Sequence, residues 1–105
     1  MALLIRQGIG QLLSVEQLNP EISDADYAWR RERIGRNGTF FLLQDEHDSS
    51  INMVCMVLRD GRYNTGTGIY TIEPSNDGCE IITITTRNSI WKFHLIPGLI
   101  TGTLN

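Results

Sequence analysis

The sequence predicts an α+β fold in which one or two N-terminal helices pack on a five-stranded antiparallel meander, forming a curled sheet or half-barrel. Helix start and stop signals lie before residue 38, and from there apolar runs of strand length alternate with turn residues such as Asp60-Gly61. The chain of 105 residues has the length of one domain. We expect a helical N-terminal region at 1–37, the sheet at 38–96 and a C-terminal tail at 97–105.

The first helix signal is short. Ser14 and Gln17 have the spacing of a capping box, in which each side chain bonds to a free backbone N–H of the first turn. Asn19-Pro20 then ends or restarts the helix, because proline cannot donate the next backbone hydrogen bond. We therefore expect about one helical turn before residue 20.

A second helix is predicted from about Asp24 to Ile34. Ser23 is a favoured N-cap residue, acidic residues follow it, and arginines stand near the other end, where they complement the helix dipole. This helix would cover one face of the sheet. Its apolar side carries Tyr27 and Ile34, with Ala28 and Trp29 nearby.

Five strand segments are predicted after the helices, at residues 38–44, 51–59, about 62–73, and the two halves of 80–96. Asp60-Gly61 predicts a two-residue type I′ loop between the second and third segments. In that register Leu58 pairs with Tyr63. Glycines in the stretch NTGTG, at 64–68, predict a bulge, a bend or the close approach of another backbone.

The register of the last hairpin, EIITITTRNSIWKFHLI, follows from its alternating apolar residues. With Arg87 and Asn88 as a two-residue loop, the facing pairs are Ile84 with Trp91, Ile82 with Phe93, Thr83 with Lys92, and Ile81 with His94. The first two pairs would lie on the core side and the last two on the opposite side. A shift of one residue would mix the two faces.

The segment 51–59 predicts a homo-oligomer because it is apolar on both faces. The residues of one face are Val54, Met56 and Leu58, and those of the other are Ile51, Met53, Cys55 and Val57. One face would meet the helix, and a chain of this size has little left to cover the other, so a partner subunit is expected there. The tail at 97–105 would cross to that subunit, add an edge strand, or fray.

Charge and composition argue against several classes of function. A formal net charge of −3 and a pI near 5.2 speak against nucleic acid as a partner. No run approaches the roughly 20 apolar residues that cross a bilayer, and the N-terminus lacks a signal-peptide pattern, so we expect no membrane association and a cytoplasmic location. Cys55 and Cys79 are distant in sequence and form no CxxC or Cys/His motif, which predicts reduced structural thiols, no metal site and no cofactor.

The candidate ligand-binding residues lie in the last hairpin and are Arg87, Lys92, His94 and Thr83. Lys92 and His94 share the polar face with Thr83, while Arg87 at the loop could reach an anionic ligand or a neighbouring subunit. A solvated sheet face produces the same pattern. An enzyme would also need a nucleophile or paired acids within reach, and the sequence supplies no such spacing.

Two other clusters have simple structural interpretations. The loop with Asp45, Glu46, His47 and Asp48 could bind a cation, but it lacks the ligand spacing and the glycine of an EF-hand, and an exposed acidic turn is the better interpretation. The segment WRRERIGR, at 29–36, could bind phosphate. Arginines in a last helical turn also complement the helix dipole without any ligand.

These observations favour a small non-enzymatic, homo-oligomeric binding module whose ligand or protein partner binds on a sheet face or at a subunit seam. The alternative is a small hydrolase or isomerase that uses His94, with Lys92 or Arg87 holding an anionic substrate. No motif assigns the chain to a known family. A concave pocket around His94 would favour the enzyme, whereas a flat, open face would favour the binding module.

Overall fold

The computed structural model describes residues 2–98. In this part the chain folds into seven antiparallel strands and one short helix. The predicted α+β fold of N-terminal helices on a five-stranded sheet is therefore wrong. The elements are β1 (Ala2–Gln17), α1 (Asp24–Arg31), β2 (Asn37–Asp45), β3 (Asn52–Leu58), β4 (Gly61–Asn64), β5 (Gly68–Pro74), β6 (Glu80–Thr86) and β7 (Ser89–Pro97).

The sheet closes on itself. Its strand order is β2-β1-β7-β6-β5-β3-β4, and β2 also pairs with β3, from Thr39 opposite Val57 to Gln44 opposite Asn52. Strand β3 meets β5 through the single pair Asn52 and Gly68. Closure leaves each of the long strands with a neighbour on both sides, so few backbone groups are left unpaired.

Strand β1 replaces the predicted first helix. It lies between β2 and β7 and pairs with both over most of its 16 residues. Ser14 and Gln17, the proposed capping pair, stand opposite Lys92 and Ser89 of β7. Two ladders of backbone hydrogen bonds outweigh one weak local helix signal, because isolated short helices are marginal in water.

Helix α1 begins where the sequence predicted it and ends three residues earlier. The Ser23 hydroxyl caps it by accepting the Asp26 N–H at 3.2 Å. The helix does not cover a sheet face but packs at one end of the closed sheet, where the hydroxyl of fully buried Tyr27 donates to the Asn88 carbonyl. Ile34, expected on the apolar side, lies beyond the helix and is exposed.

The core fills the interior of the closed sheet. Inward side chains from β1, β2, β3, β4, β6 and β7 form one buried cluster of Leu12, Phe40, Leu42, Val54, Met56, Leu58, Tyr63, Ile82, Ile84, Trp91, Phe93 and Leu95. The inner face of β3 is therefore covered by the opposite wall of the same sheet, not by the helix. The outer face of β3 is only partly covered, and Val57 on it is exposed.

The last hairpin has the predicted register, with Ile84 opposite Trp91 and Ile81 opposite His94. The hairpin after β3 is at the predicted position, but its register is wrong, because Leu58 pairs with Gly61 and not with Tyr63. Among the described residues only glycines have positive φ, so Asp60 does not take the conformation of a type I′ loop. Both registers keep Tyr63 on the inner face.

Residues 65–67 of the stretch NTGTG separate β4 from β5, so the single strand predicted at about 62–73 is two strands. A Cβ at Gly68 would collide with the backbone carbonyl of Thr85, which confirms the close approach of another backbone. The expected tail at 97–105 begins at the last residue of β7, and residues 99–105 lie outside the described range. Between residues 2 and 98, no helix is both long and apolar enough to span a membrane.

Candidate functional site

The four predicted site residues do not form one cluster. Thr83 and Lys92 face each other on the outer side of β6 and β7, and His94 lies two residues further along β7. Arg87 stands at the β6–β7 turn, six residues along β6 from Ile81, the partner of His94. At about 3.3 Å per strand residue this is a separation of roughly 20 Å. The structure therefore brings Thr83, Lys92 and His94 together and separates Arg87 from His94.

Arg87 instead lines a cavity of about 170 Å³ at the helix end of the closed sheet. The helix α1, the break between β4 and β5, and the β6–β7 turn surround this cavity. Its lining residues are Arg30, Gly66, Thr67, Thr86, Arg87, Asn88, Ser89 and Trp91. We call it the Arg30–Arg87 cavity. His94 does not line it.

The lining of the Arg30–Arg87 cavity is basic and rich in hydroxyl groups. It contains two arginines and three hydroxyl side chains, and none of these described residues carries a carboxylate. Arg87 makes no ion pair with any residue between 2 and 98. Donors of this kind without acidic partners can bind an anion.

Arg30 is held by aromatic rings and not by an acid. Its guanidinium lies 4.6 Å from the ring centroid of Tyr27 and 4.7 Å from that of Trp29. Its Nη1 donates to the Asp26 carbonyl at 2.5 Å, while its buried Nε has no hydrogen-bond partner among the described residues. Cation–π contacts orient the group without neutralising its charge.

The β6–β7 turn that carries Arg87 is fixed at both ends. The Thr86 hydroxyl donates to the Ser89 carbonyl at 3.1 Å and accepts the Ser89 N–H at 3.2 Å. The Tyr27 hydroxyl donates to the Asn88 carbonyl at 2.6 Å and lies within hydrogen-bond distance of the Ser89 hydroxyl. Tyr27 and Arg30 both belong to α1. These bonds therefore hold the helix that carries Arg30 against the turn that carries Arg87.

An aromatic cluster lies beneath the cavity. Trp91, which lines it, stacks on Tyr63 with ring centroids 6.0 Å apart and contacts Trp29 at 6.2 Å. The Trp91 Nε1 and the Tyr63 hydroxyl are both buried and have no hydrogen-bond partner among the described residues. Burial raises the pKa of Tyr63 to about 12, although the charges of Arg33 and Arg36 oppose this shift.

A second cluster surrounds His94 on the outer face. His94 Nε2 lies 2.8 Å from Asp77 Oδ2, and the ligand atoms of Asp77, Cys79 and His94 all lie within 4.8 Å of one another. The hydrogen bonds from His94, Ser75 and the Cys79 backbone hold the pKa of Asp77 well below its usual range. Burial raises the pKa of the Cys79 thiol, and the Asp77 carboxylate raises it further.

No sequence motif reveals this cluster, because Cys79 and His94 are 15 positions apart and have no metal-ligand spacing. A signal was available in the predicted hairpin register. Ile81 faces His94, and strand alternation continued two positions back to Cys79 would place both on the outer side.

The Asp77–Cys79–His94 arrangement does not resemble a cysteine-hydrolase site. In such a site the thiolate is the nucleophile and its pKa is lowered, and histidine bridges the thiol and the acid with different nitrogens. Here the pKa of the Cys79 thiol is raised, and His94 meets the acid Asp77 through Nε2. Three donors of different type converge instead, as at a metal centre.

The other candidate clusters have structural roles. In the acidic loop, Asp45 accepts the N–H groups of His47 and Asp48, and Asp48 accepts from Ser50. The arginines of WRRERIGR separate: Arg30 lines the cavity, Arg33 lies over Trp29, and Arg36 pairs with Asp60 at 2.6 Å.

No protein-family model, curated protein or solved structure matches this chain. Inference about function therefore depends on the chemistry of its own side chains.

Proposed function

We propose that the protein is a non-enzymatic binding module that takes a small anionic ligand, or the anionic end of a larger one, in the Arg30–Arg87 cavity. The observation that carries this proposal is that two arginines line one cavity together with hydroxyl residues and without a carboxylate residue. Arginine forms short, charge-assisted hydrogen bonds to carboxylate and phosphate oxygens, often two at a time.

The size of the cavity supports an anionic group and not a large organic molecule. Sites that enclose a drug-sized ligand usually measure about 300 to 1,000 Å³. The 170 Å³ of this cavity suits one phosphate, sulfate or carboxylate group with its bound water. The Thr67 hydroxyl would supply a further hydrogen bond to the same anion. The Thr86 and Ser89 hydroxyls instead keep the β6–β7 turn in place through the Ser89 carbonyl and the Tyr27 hydroxyl.

The separation of Arg87 from His94 weighs against the alternative of a hydrolase or isomerase. That alternative has Lys92 or Arg87 hold an anionic substrate beside His94, and Arg87 lies roughly 20 Å from His94 by strand spacing. Lys92 shares the outer face with His94, so only Lys92 could serve that role.

The proposal includes self-association through the outer surface of the sheet. Ile96, Ile9, Thr39 and Val57 face one another in sequence across β7, β1, β2 and β3, and we call them the outer apolar row. Ile9 and Ile96 are about half exposed, at 53% and 48%. A second copy is the occupant that fits best, because the row crosses four strands without a charged side chain, and dimers commonly bury such self-complementary surfaces.

Anion binding can be tested by calorimetry and thermal shift with inorganic phosphate and with a short dicarboxylate at low ionic strength. We expect saturable binding of one anion per chain. Arg87→Gln or Arg30→Gln should weaken it at least about tenfold, because hydrogen bonds to charged groups contribute about 1.5 to 3 kcal/mol.

Arg59→Gln is the matched control, since Arg59 is exposed at the β3–β4 turn and does not line the cavity. It should bind like the unaltered protein. Equal affinity in the Arg87 and Arg59 variants, or no saturable binding of either anion, would contradict the proposal.

A further inference from the structure

We propose that Asp77, Cys79 and His94 form a binding site for a divalent transition-metal ion, with Zn²⁺ the best match. Carboxylate oxygen, thiolate sulfur and imidazole nitrogen are the three donor types that proteins use for Zn²⁺. Three protein ligands leave one tetrahedral position for water or another small ligand. This site is independent of the Arg30–Arg87 cavity and shares no residue with it.

The distances between the ligand atoms suit such an ion. Tetrahedral Zn²⁺ with bonds of roughly 2.0 to 2.3 Å places neighbouring ligand atoms about 3.3 to 3.8 Å apart. The three ligand atoms lie within 4.8 Å of one another, and His94 Nε2 and Asp77 Oδ2 are 2.8 Å apart. Side-chain movements of about 1 Å would bring all three atoms to bonding distance. The ion would displace the hydrogen between His94 Nε2 and Asp77, and the Cys79 thiol would release its proton to solvent and bind as thiolate.

The backbone around the site is already arranged. Asp77 and Cys79 flank Gly78, whose φ of +81° lets the turn before β6 close, and the Ser75 N–H donates to the Cys79 carbonyl at 2.9 Å. Asp77 Oδ1 accepts the Cys79 N–H at 3.1 Å, which leaves Oδ2 directed at His94. His94 is positioned by the paired strands β6 and β7. Metal binding would therefore require little ordering of the chain.

The site is open enough for an ion to enter. The Asp77 side chain is 57% exposed and that of His94 is 24% exposed. Softer thiolate and imidazole donors favour Zn²⁺ or Co²⁺ over Mg²⁺ and Ca²⁺, which prefer oxygen ligands only. An exposed site with three protein ligands resembles catalytic zinc sites more than closed structural ones in its coordination.

Metal binding can be measured on tag-free, reduced protein with Zn²⁺ by calorimetry and with Co²⁺ by absorption spectroscopy. We expect one ion per chain and, with Co²⁺, the near-ultraviolet charge-transfer band of a cobalt–thiolate bond. Cys79→Ser should abolish that band, and His94→Gln and Asp77→Asn should abolish stoichiometric binding. Zn²⁺ should also raise the melting midpoint of the unaltered protein but not that of these variants.

Cys55→Ser and His47→Gln are matched controls, because Cys55 and His47 are the other cysteine and the other histidine of the chain. Both variants should bind metal with the thiolate band intact. Absence of stoichiometric Zn²⁺ binding, or a thiolate band that persists in Cys79→Ser, would overturn the proposal. Loss of binding in either control would do the same. Anion binding in the Arg30–Arg87 cavity is unaffected by any of these outcomes.

Discussion

Trp91 lies directly opposite Ile84 in the β6–β7 ladder, and both side chains point into the core. Trp91 is only 2% exposed and stacks on Tyr63 and Phe93. We predict that Trp91→Ala lowers the free energy of unfolding by about 3 to 5 kcal/mol, through lost burial and a cavity. Lys92→Ala, at the adjacent exposed position, should change it by less than about 0.5 kcal/mol. Similar urea midpoints for the two variants would contradict this packing.

The buried hydroxyl of Tyr63 makes stability depend on pH above 10. The pKa of Tyr63 is about 12 in the folded chain, whereas a tyrosine in an unfolded chain has a pKa of about 10. The folded state therefore keeps a proton that the unfolded state loses between these values. Its stabilising contribution is full below pH 10 and is lost as pH rises toward 12, at on the order of 1.4 kcal/mol per pH unit.

Urea unfolding of the unaltered protein and of Tyr63→Phe from pH 9 to pH 11.5 measures this contribution. The phenylalanine variant should show a shallower decline, because it has no proton to retain. Parallel declines in the two proteins would show that Tyr63 does not titrate abnormally. The comparison is direct, because every other titrating group is present in both.

The parts of the fold that could be predicted from sequence are those set by local pattern. The β6–β7 register follows from alternating apolar residues and a two-residue loop, and it was confirmed. Strand β1 was missed because two of its inward positions, Gly8 and Gly10, are glycines, while the outward Ile9 is exposed. In this part of β1 the large apolar side chain therefore points outward and not inward. The strand depends on its pairing with β2 and β7.

The candidate site, like the fold, could be predicted from the sequence only in part. Arg87 was identified because a hairpin tip is a local feature. Arg30 could not be placed beside it, since the amphipathic pattern of α1 predicts which side is buried but not whether a sheet face or a sheet end buries it. The contact of Tyr27 with the β6–β7 turn, 61 positions away, decides that placement.

Gly8 lies at a close approach of β1 to β7. A Cβ at this position would collide with the backbone carbonyl of Ile96, which cannot rotate away as a side chain could. Gly8→Ala should therefore cost about 1 to 3 kcal/mol and speed amide exchange along β1 and β7. Gly66→Ala is the control, because its Cβ would meet only the Thr86 side chain at 3.5 Å. Equal melting midpoints for both variants would contradict the close contact.

The outer apolar row predicts that the protein is a dimer or larger assembly in solution. Ile9 lies at its centre, between Thr39 and Ile96, and an exposed isoleucine there gains stability only if another surface removes it from water. Light scattering should therefore give a mass above 11.9 kDa at micromolar concentration. Ile9→Lys should reduce this mass to that of one chain, because a lysine in the middle of an apolar interface leaves a desolvated charge.

Ile69→Lys is the matched control for this assembly. Ile69 is more exposed than Ile9, at 67%, but it lies on β5, away from the row. Its variant should keep the mass of the unaltered protein. A single species of 11.9 kDa in the unaltered protein would contradict self-association. The mass of Arg87→Glu shows whether the Arg30–Arg87 cavity lies at the subunit interface. An unchanged mass would place the cavity away from that interface. Dissociation would mean that Arg87 contacts the neighbouring subunit, which would then complete the cavity.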